Sequence, residues 1–164
     1  HNRVRRQRQM CIRDSIIGGG DIFLKRLLPI FKASFFVPLF GDGSTKFQPV
    51  FIDDVSLAVD EIINSQTEKK NIYELAGPRI YSYKEFFNHI SNFLNKTRVL
   101  VPVPMAFMKP MINIAEKTPI SPLTSEQLIL FEKDNILVNV DKSFQNLDIN
   151  PQDTLQILKN IVVN

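Results

Sequence analysis

Three glycines and a carboxylate in a row, Gly18-Gly19-Gly20-Asp21, are the residues of this chain best suited to hold a ligand. With no Cβ, such a run relieves steric limits on the backbone and lets a bound group come close to it. It follows Ile16-Ile17, which reads as the end of a buried strand, and the loop after such a strand in an α/β sheet is where ligands bind. A bare strand-to-helix turn, with Asp21 capping the helix, is the competing explanation. Further along, Gln48 sits on an extended arm, where its amide can bond a polar ligand group or simply face solvent. Asp53 and Asp54 form a carboxylate pair. Adjacent residues at a helix start do not converge on one atom, so capping and the helix dipole account for them better than acid/base or metal chemistry.

Other features read as structural. His89 lies one position off the stripe running from Phe86 to Phe93 and fits a boundary position better than a catalytic one. Gly41-x-Gly43-x-x-Lys46 lacks the Gly-Lys-Ser/Thr ending of a phosphate loop and reads as a hairpin-like turn. Met105, Met108 and Met111 keep helical spacing, which suits core packing, with an apolar ligand pocket as the alternative.

Residues 5–14, Arg-Arg-Gln-Arg-Gln-Met-Cys-Ile-Arg-Asp, resemble a translated transposase read adaptor, so residues 1–15 are expected to be a non-native leader. They hold five of the 20 Lys and Arg, one of the 17 Asp and Glu, and the one cysteine. The rest balances 15 basic against 16 acidic residues, so the basic pI is borrowed and nucleic-acid binding has no support. Setting Cys11 aside excludes disulfides, thiolate catalysis and cysteine-bearing zinc sites, and His89 alone cannot build a multi-histidine metal site. A hydrophobic share of 44% with 13 Phe can fill a core, and no apolar run approaches the roughly 20 residues of a membrane span.

The elements that would position these residues follow from periodicity and punctuation. Phe23, Leu24, Leu27, Leu28 and Phe31 have helical spacing, with a break or kink expected at Pro29. Residues 35–40 and 47–52 are extended arms about the turn at residues 41–44. Asp53 or Asp54 caps a helix whose buried face is Val55, Ala58, Val59, Ile62 and Ile63. Residues 71–76 read as a strand. Ser82-Tyr83-Lys84-Glu85 is a capping box opening a helix with Phe86, Phe87, Ile90, Phe93 and Leu94. A strand at 98–103, a helix at about 105–116, a second capping box at 124–127, an extended or irregular stretch at 134–140 and a last helix from Asp153 complete the chain. This alternation predicts α/β with a mainly parallel sheet and a helical tail.

Several of these stretches together resemble the C-terminal half of extended or atypical short-chain dehydrogenase/reductases, the family of NAD-dependent epimerases and dehydratases. The likeness is to the NAD(P)H-binding accessory-subunit branch associated with respiratory complex I. Gly18-Gly19-Gly20-Asp21-Ile22-Phe23 resembles its Gly-Pro-Gly-Asp-x-Phe loop, with Gly19 in place of proline. Residues 41–55 resemble its Gly-x-Gly-x-x-x-x-Gln-Pro-Val-aromatic-Val-x-Asp-Val segment. Tyr73-Glu74-Leu75-Ala76-Gly77-Pro78, then Pro122-Leu123-Thr124-Ser125-Glu126-Gln127-Leu128 with Asp134-Asn135, follow in order.

The resemblance implies part of a Rossmann-like parallel sheet over residues 16–103, with a substrate-region insert, and a helical C-terminal region over 104–164. It implies NAD or NADP as cofactor of a longer parent, with Gly18, Gly19, Gly20 and Asp21 near the nicotinamide and Phe47, Gln48 and Val50 facing substrate. The phosphate-cradling Gly-x-x-Gly-x-x-Gly turn is expected upstream of Ile16. The Tyr-x-x-x-Lys proton-transfer pair is also missing: four residues beyond Tyr73, Tyr81 and Tyr83 stand Gly77, Glu85 and Phe87. No catalytic acid or base is therefore assigned. The implied partners are a dinucleotide, a small-molecule substrate, and a respiratory-complex or membrane-associated protein, with a location in the cytoplasm or peripheral to the inner membrane. Alternatives are a nucleotide-sugar epimerase or dehydratase, which normally needs cations for the diphosphate, and a non-catalytic assembly subunit docking through residues 124–164.

Overall fold

The computed structural model describes residues 15–65, 73–115, 128, 131–137 and 143–163. In chain order the elements are β1 (Ile16–Ile17), α1 (Ile22–Ala33), β2 (Phe36–Phe40), β3 (Lys46–Phe47), β4 (Val50–Phe51) and α2 (Ile52–Asn64). They continue with β5 (Tyr81–Ser82), α3 (Tyr83–Phe93), β6 (Val99–Val103), α4 (Met105–Ala115), a short 3-10 helix (Phe144–Leu147) and α5 (Thr154–Val163). The result is α/β, as the alternation requires. Among the described residues the strands form three pairs: β1 with β4 and β2 with β6 are parallel, and β3 with β5 is antiparallel.

The helix periodicities explain the core. Leu24, Leu27 and Phe31 of α1 meet Phe86, Phe87 and Ile90 of α3, the inner residues Val37 and Leu39 of β2, and Leu158 and Val162 of α5 in one cluster. Phe87 is fully buried, edge-on to Phe31 at 5.3 Å and to Phe40 at 5.9 Å. A second cluster joins Val50, Ala58 and Phe144. The capping box of α3 forms as expected: Ser82 N donates to Glu85 Oε2 at 2.8 Å, and Glu85 N donates to Ser82 Oγ at 3.2 Å.

Five expectations fail, some for local reasons and some because a distant segment supplies the partner. The arms flanking residues 41–44 are not a hairpin, because β2 takes β6 as partner while β3 takes β5. No break occurs at Pro29: helix α1 continues through it, with Pro29 on the exposed side. Residues 73–77 join no ladder; Gln48 Nε2 donates to Gly77 O at 2.7 Å instead. Asp53 and Asp54 lie inside the first turn of α2, whose cap is Phe51 and has no side-chain bond. On that helix Ala58 is buried, whereas Val59 and Ile63 are 47% and 74% exposed, so its buried face is narrower than the apolar spacing suggests. Residues 71–72 and the second capping box at 124–127 lie outside the described residues.

Truncating Phe87 to Ala removes the ring on which α1, β2 and α3 meet. A loss of about 3–5 kcal/mol in urea unfolding is expected; a loss below about 1 kcal/mol would contradict this packing.

Candidate functional site

The glycine run is placed by β1, whose Ile16 and Ile17 pair with Val50 and Phe51 of β4. Because the pair is parallel, residues 18–21 leave it at the carboxyl end. Each glycine there meets a different environment. A Cβ on Gly18 would lie 2.6 Å from Cγ2 of Ile52, so the first glycine is demanded by packing against the start of α2. Gly19 and Gly20 are exposed, their φ angles are not positive, and a Cβ on either would meet nothing within 4 Å. Neither packing nor backbone strain within the described residues requires glycine at those two positions.

Asp21 closes the loop. Its amide donates to Gly18 O at 3.1 Å, and its Oδ1 accepts from the amides of Phe23 at 2.7 Å and Leu24 at 3.4 Å, capping α1. Burial raises its pKa above the ordinary aspartate value, and the two amide bonds oppose that rise.

Gln48 lies before β4, at the amino end of the same parallel pair. The two candidate loops therefore stand at opposite ends of β1 and β4. The Gln48 side chain bridges two distant segments: Nε2 donates to Gly77 O at 2.7 Å, and Oε1 accepts from Leu137 N at 3.0 Å. Its backbone amide donates to Asn135 O at 3.1 Å. Among the described residues one N–H and one lone pair of the amide are left over, and the residue lines a cleft of about 640 Å³ shared with Gly77, Pro78, Phe144, Asp148 and Pro151. Phe47 is buried, stacked on Tyr83 at 4.4 Å, and Val50 is 3% exposed in the second cluster. Of the three arm residues, only Gln48 lines that cleft.

The sequence did not reveal how the neighbouring residues are used. Asp54 is buried, its Oδ2 accepting from Gln152 N at 2.9 Å and its Oδ1 from Gln152 Nε2 at 3.0 Å. Thr154 Oγ1 donates to Pro49 O at 2.9 Å. A Cβ on Gly77 would overlap the Pro49 carbonyl oxygen, which explains why that site is glycine. Arg79 pairs with Asp153 at 3.5 Å, and Arg98 Nε donates to Phe31 O at 2.7 Å. His89 is half-buried between Tyr81 and Phe93, as a boundary residue should be. Met108 is in the core and Met105 packs on it. Among the described residues no group of three His, Cys, Asp or Glu could hold a metal, and no helix is long and apolar enough to cross a membrane.

Asp21 gives a pH test. Its folded pKa stands above the unfolded value, so its contribution favours the fold at low pH and is lost as pH rises through the folded pKa. Asp21→Asn keeps a capping oxygen without the buried charge. Thermal unfolding should find the variant equal to the parent in acid and more stable at neutral pH. Parallel stability curves for the two proteins would count against the buried carboxylate.

No family model matches the chain. It is 28% identical over 148 residues to the mitochondrial NADH dehydrogenase (ubiquinone) 1 alpha subcomplex subunit 9 of Arabidopsis thaliana, covering 84% of this chain and 37% of that protein. It is also 28% identical over 109 residues to the mitochondrial NADH-ubiquinone oxidoreductase 40 kDa subunit of Neurospora crassa, covering 66% of this chain and 29% of the relative. The chain thus spans about a third of the length of the curated relatives it matches. In fold it is similar to an NADPH-dependent quinone oxidoreductase of Escherichia coli solved with NADPH, with TM-score 0.64, 13% identity, and coverage of 85% of this chain and 50% of that one. In sequence the chain is therefore similar to subunits of the mitochondrial NADH dehydrogenase, and in fold it is similar to NADPH-dependent oxidoreductases.

Proposed function

We propose that the chain forms the nicotinamide-side wall of an NAD(P)-binding fold and belongs to an accessory subunit of a respiratory NADH dehydrogenase. In this reading the nucleotide is held structurally or serves redox chemistry near quinone. The observation that carries the proposal is the space over Gly19 and Gly20 at the carboxyl end of a parallel strand pair. Glycines that their own chain does not need suit a ligand that comes close to the backbone. The names of the two relatives support the respiratory setting, and the NADPH of the fold neighbour supports the cofactor. Gln48, which lines its cleft at the opposite end of the β1–β4 pair, is the residue to present a polar group to a small ligand there, while Phe47 and Val50 are packed in the core. The subunit would lie in mitochondria, peripheral to the inner membrane.

The division of labour explains the missing chemistry. None of the six glycines keeps Gly-x-x-Gly-x-x-Gly spacing, and no tyrosine has a lysine four residues on. Residues 16–164 thus carry neither the phosphate cradle nor the proton-transfer pair. The nucleotide-sugar reading finds few cations for a diphosphate: after Lys25-Arg26 the arginines are Arg79 and Arg98, and Arg79 is paired with Asp153.

Fluorescence titration with NADPH tests the assignment. The chain alone should show no saturable micromolar binding. Fused behind the preceding portion of the plant relative, it should bind, and Gly19→Leu should weaken that binding by about tenfold or more. Micromolar binding by the chain alone would contradict the missing cradle, and an indifferent Gly19→Leu would remove the glycine loop from the site.

A further inference from the structure

One end of the molecule combines exposed apolar side chains with cations that have no carboxylate partner among the described residues. Where α1 ends and β2 and β6 begin, Phe35 and Phe36 stand 53% and 61% exposed with their rings edge-to-face at 5.2 Å. Phe36 pairs in register with Val99, and Pro38 with Val101, and these two valines are 41% and 39% exposed. The inner side of the same strand, Val37 and Leu39, is fully packed, so the exposed residues form the outer face of a rigid sheet.

Cations rim this face. Lys96 Nζ donates to Lys32 O at 3.1 Å, and Arg98 bonds the carbonyls of Phe31, Lys32 and Thr97. These bonds satisfy the last carbonyls of α1 and fix both cations beside Phe35. The ion pairs of the described residues are Arg79–Asp153 and Lys109–Glu132, so Lys32, Lys96 and Arg98 have no carboxylate partner among those residues. The charge is segregated in the sequence too. Residues 22–41 and 86–104, which build this end, contain five Lys and Arg and no Asp or Glu, although acidic residues outnumber basic ones over residues 16–164.

We infer that this face docks onto an anionic lipid bilayer, with Phe35, Phe36, Val99 and Val101 entering the headgroup–acyl boundary and Lys32, Lys96 and Arg98 contacting lipid phosphates. A protein partner of matching apolar shape would not require a carboxylate-free surround. An anionic membrane does, because each cation near its surface adds attraction while apolar side chains add burial. The long Lys and Arg stems also reach headgroups from beside an apolar patch. The inference gives the peripheral location proposed above a defined surface, and it holds whether or not the chain binds nucleotide.

Co-sedimentation of the 164-residue chain with vesicles tests it, using phosphatidylcholine alone and phosphatidylcholine carrying about one phosphatidylglycerol in four. Lys32→Gln and Phe36→Ser alter exposed side chains, and the Arg-rich first residues are common to all variants. Binding should require the anionic lipid and fall with salt. It should drop about fivefold in Lys32→Gln and about fivefold or more in Phe36→Ser. Because the chain has no tryptophan, Phe36→Trp adds a direct reporter whose emission should shift to the blue on anionic vesicles. Equal binding by all variants overturns the inference. So does a response to Lys32→Gln alone, or a dimer that Phe36→Ser dissolves without any dependence on lipid.

Discussion

Residues 47–54 are where this fold is tied together. Within eight positions the backbone and side chains bond to segments near residues 15, 77, 135 and 153. Val50 N donates to Ser15 O, Gln48 spans Gly77 and Leu137, Pro49 O accepts from Thr154, and Asp54 accepts from Gln152. None of these partners is local, so each contact closes a long loop whose entropy must be offset. The strands at this junction are only two residues long, and such short ladders are marginal by themselves. Side-chain bonds to backbone groups supply what the ladders lack. An unbonded buried amide or carbonyl here would cost about 1–3 kcal/mol.

The junction also sets where the two candidate loops stand. By pairing with β4, β1 sends its three glycines out at the carboxyl end, while Gln48 and its cleft remain at the amino end. Two regions that the family resemblance associates with one ligand are thereby assigned to two faces. Gly18 serves the packing of α2, whereas a Cβ on Gly19 or Gly20 would meet nothing within 4 Å among the described residues. Asp21 joins the two roles, ending the loop and starting α1.

What the sequence made legible was whatever is encoded locally. Helices α1 and α3 announce themselves by apolar spacing, and the Ser82–Glu85 capping box needs only four residues to be read. The parallel pairing of β2 with β6 joins residues some sixty positions apart, which no turn signal encodes. For the same reason the arms about Gly41 and Gly43 mimicked a hairpin, although their partners lay elsewhere. Asp54 looked like a cap because acidic residues suit a helix start. Its use as a tether to Gln152 depends on a chain segment almost a hundred residues away. The glycine run stood out as a candidate because such runs are locally unusual. The fates of Phe47, Gln48 and Val50 were not, because their alternation does not say which neighbours they will meet.

Native-state hydrogen exchange on Gln48→Leu measures the central dependency. That substitution keeps the size of the side chain but leaves Gly77 O and Leu137 N without partners. If residues 47–54 act as one junction, exchange should quicken together at Leu137, Asn135 and Val50 and reach the Ser15 end of β1. Faster exchange confined to Leu137, with Val50 as protected as before, would show that the contacts are independent and that no shared tie exists.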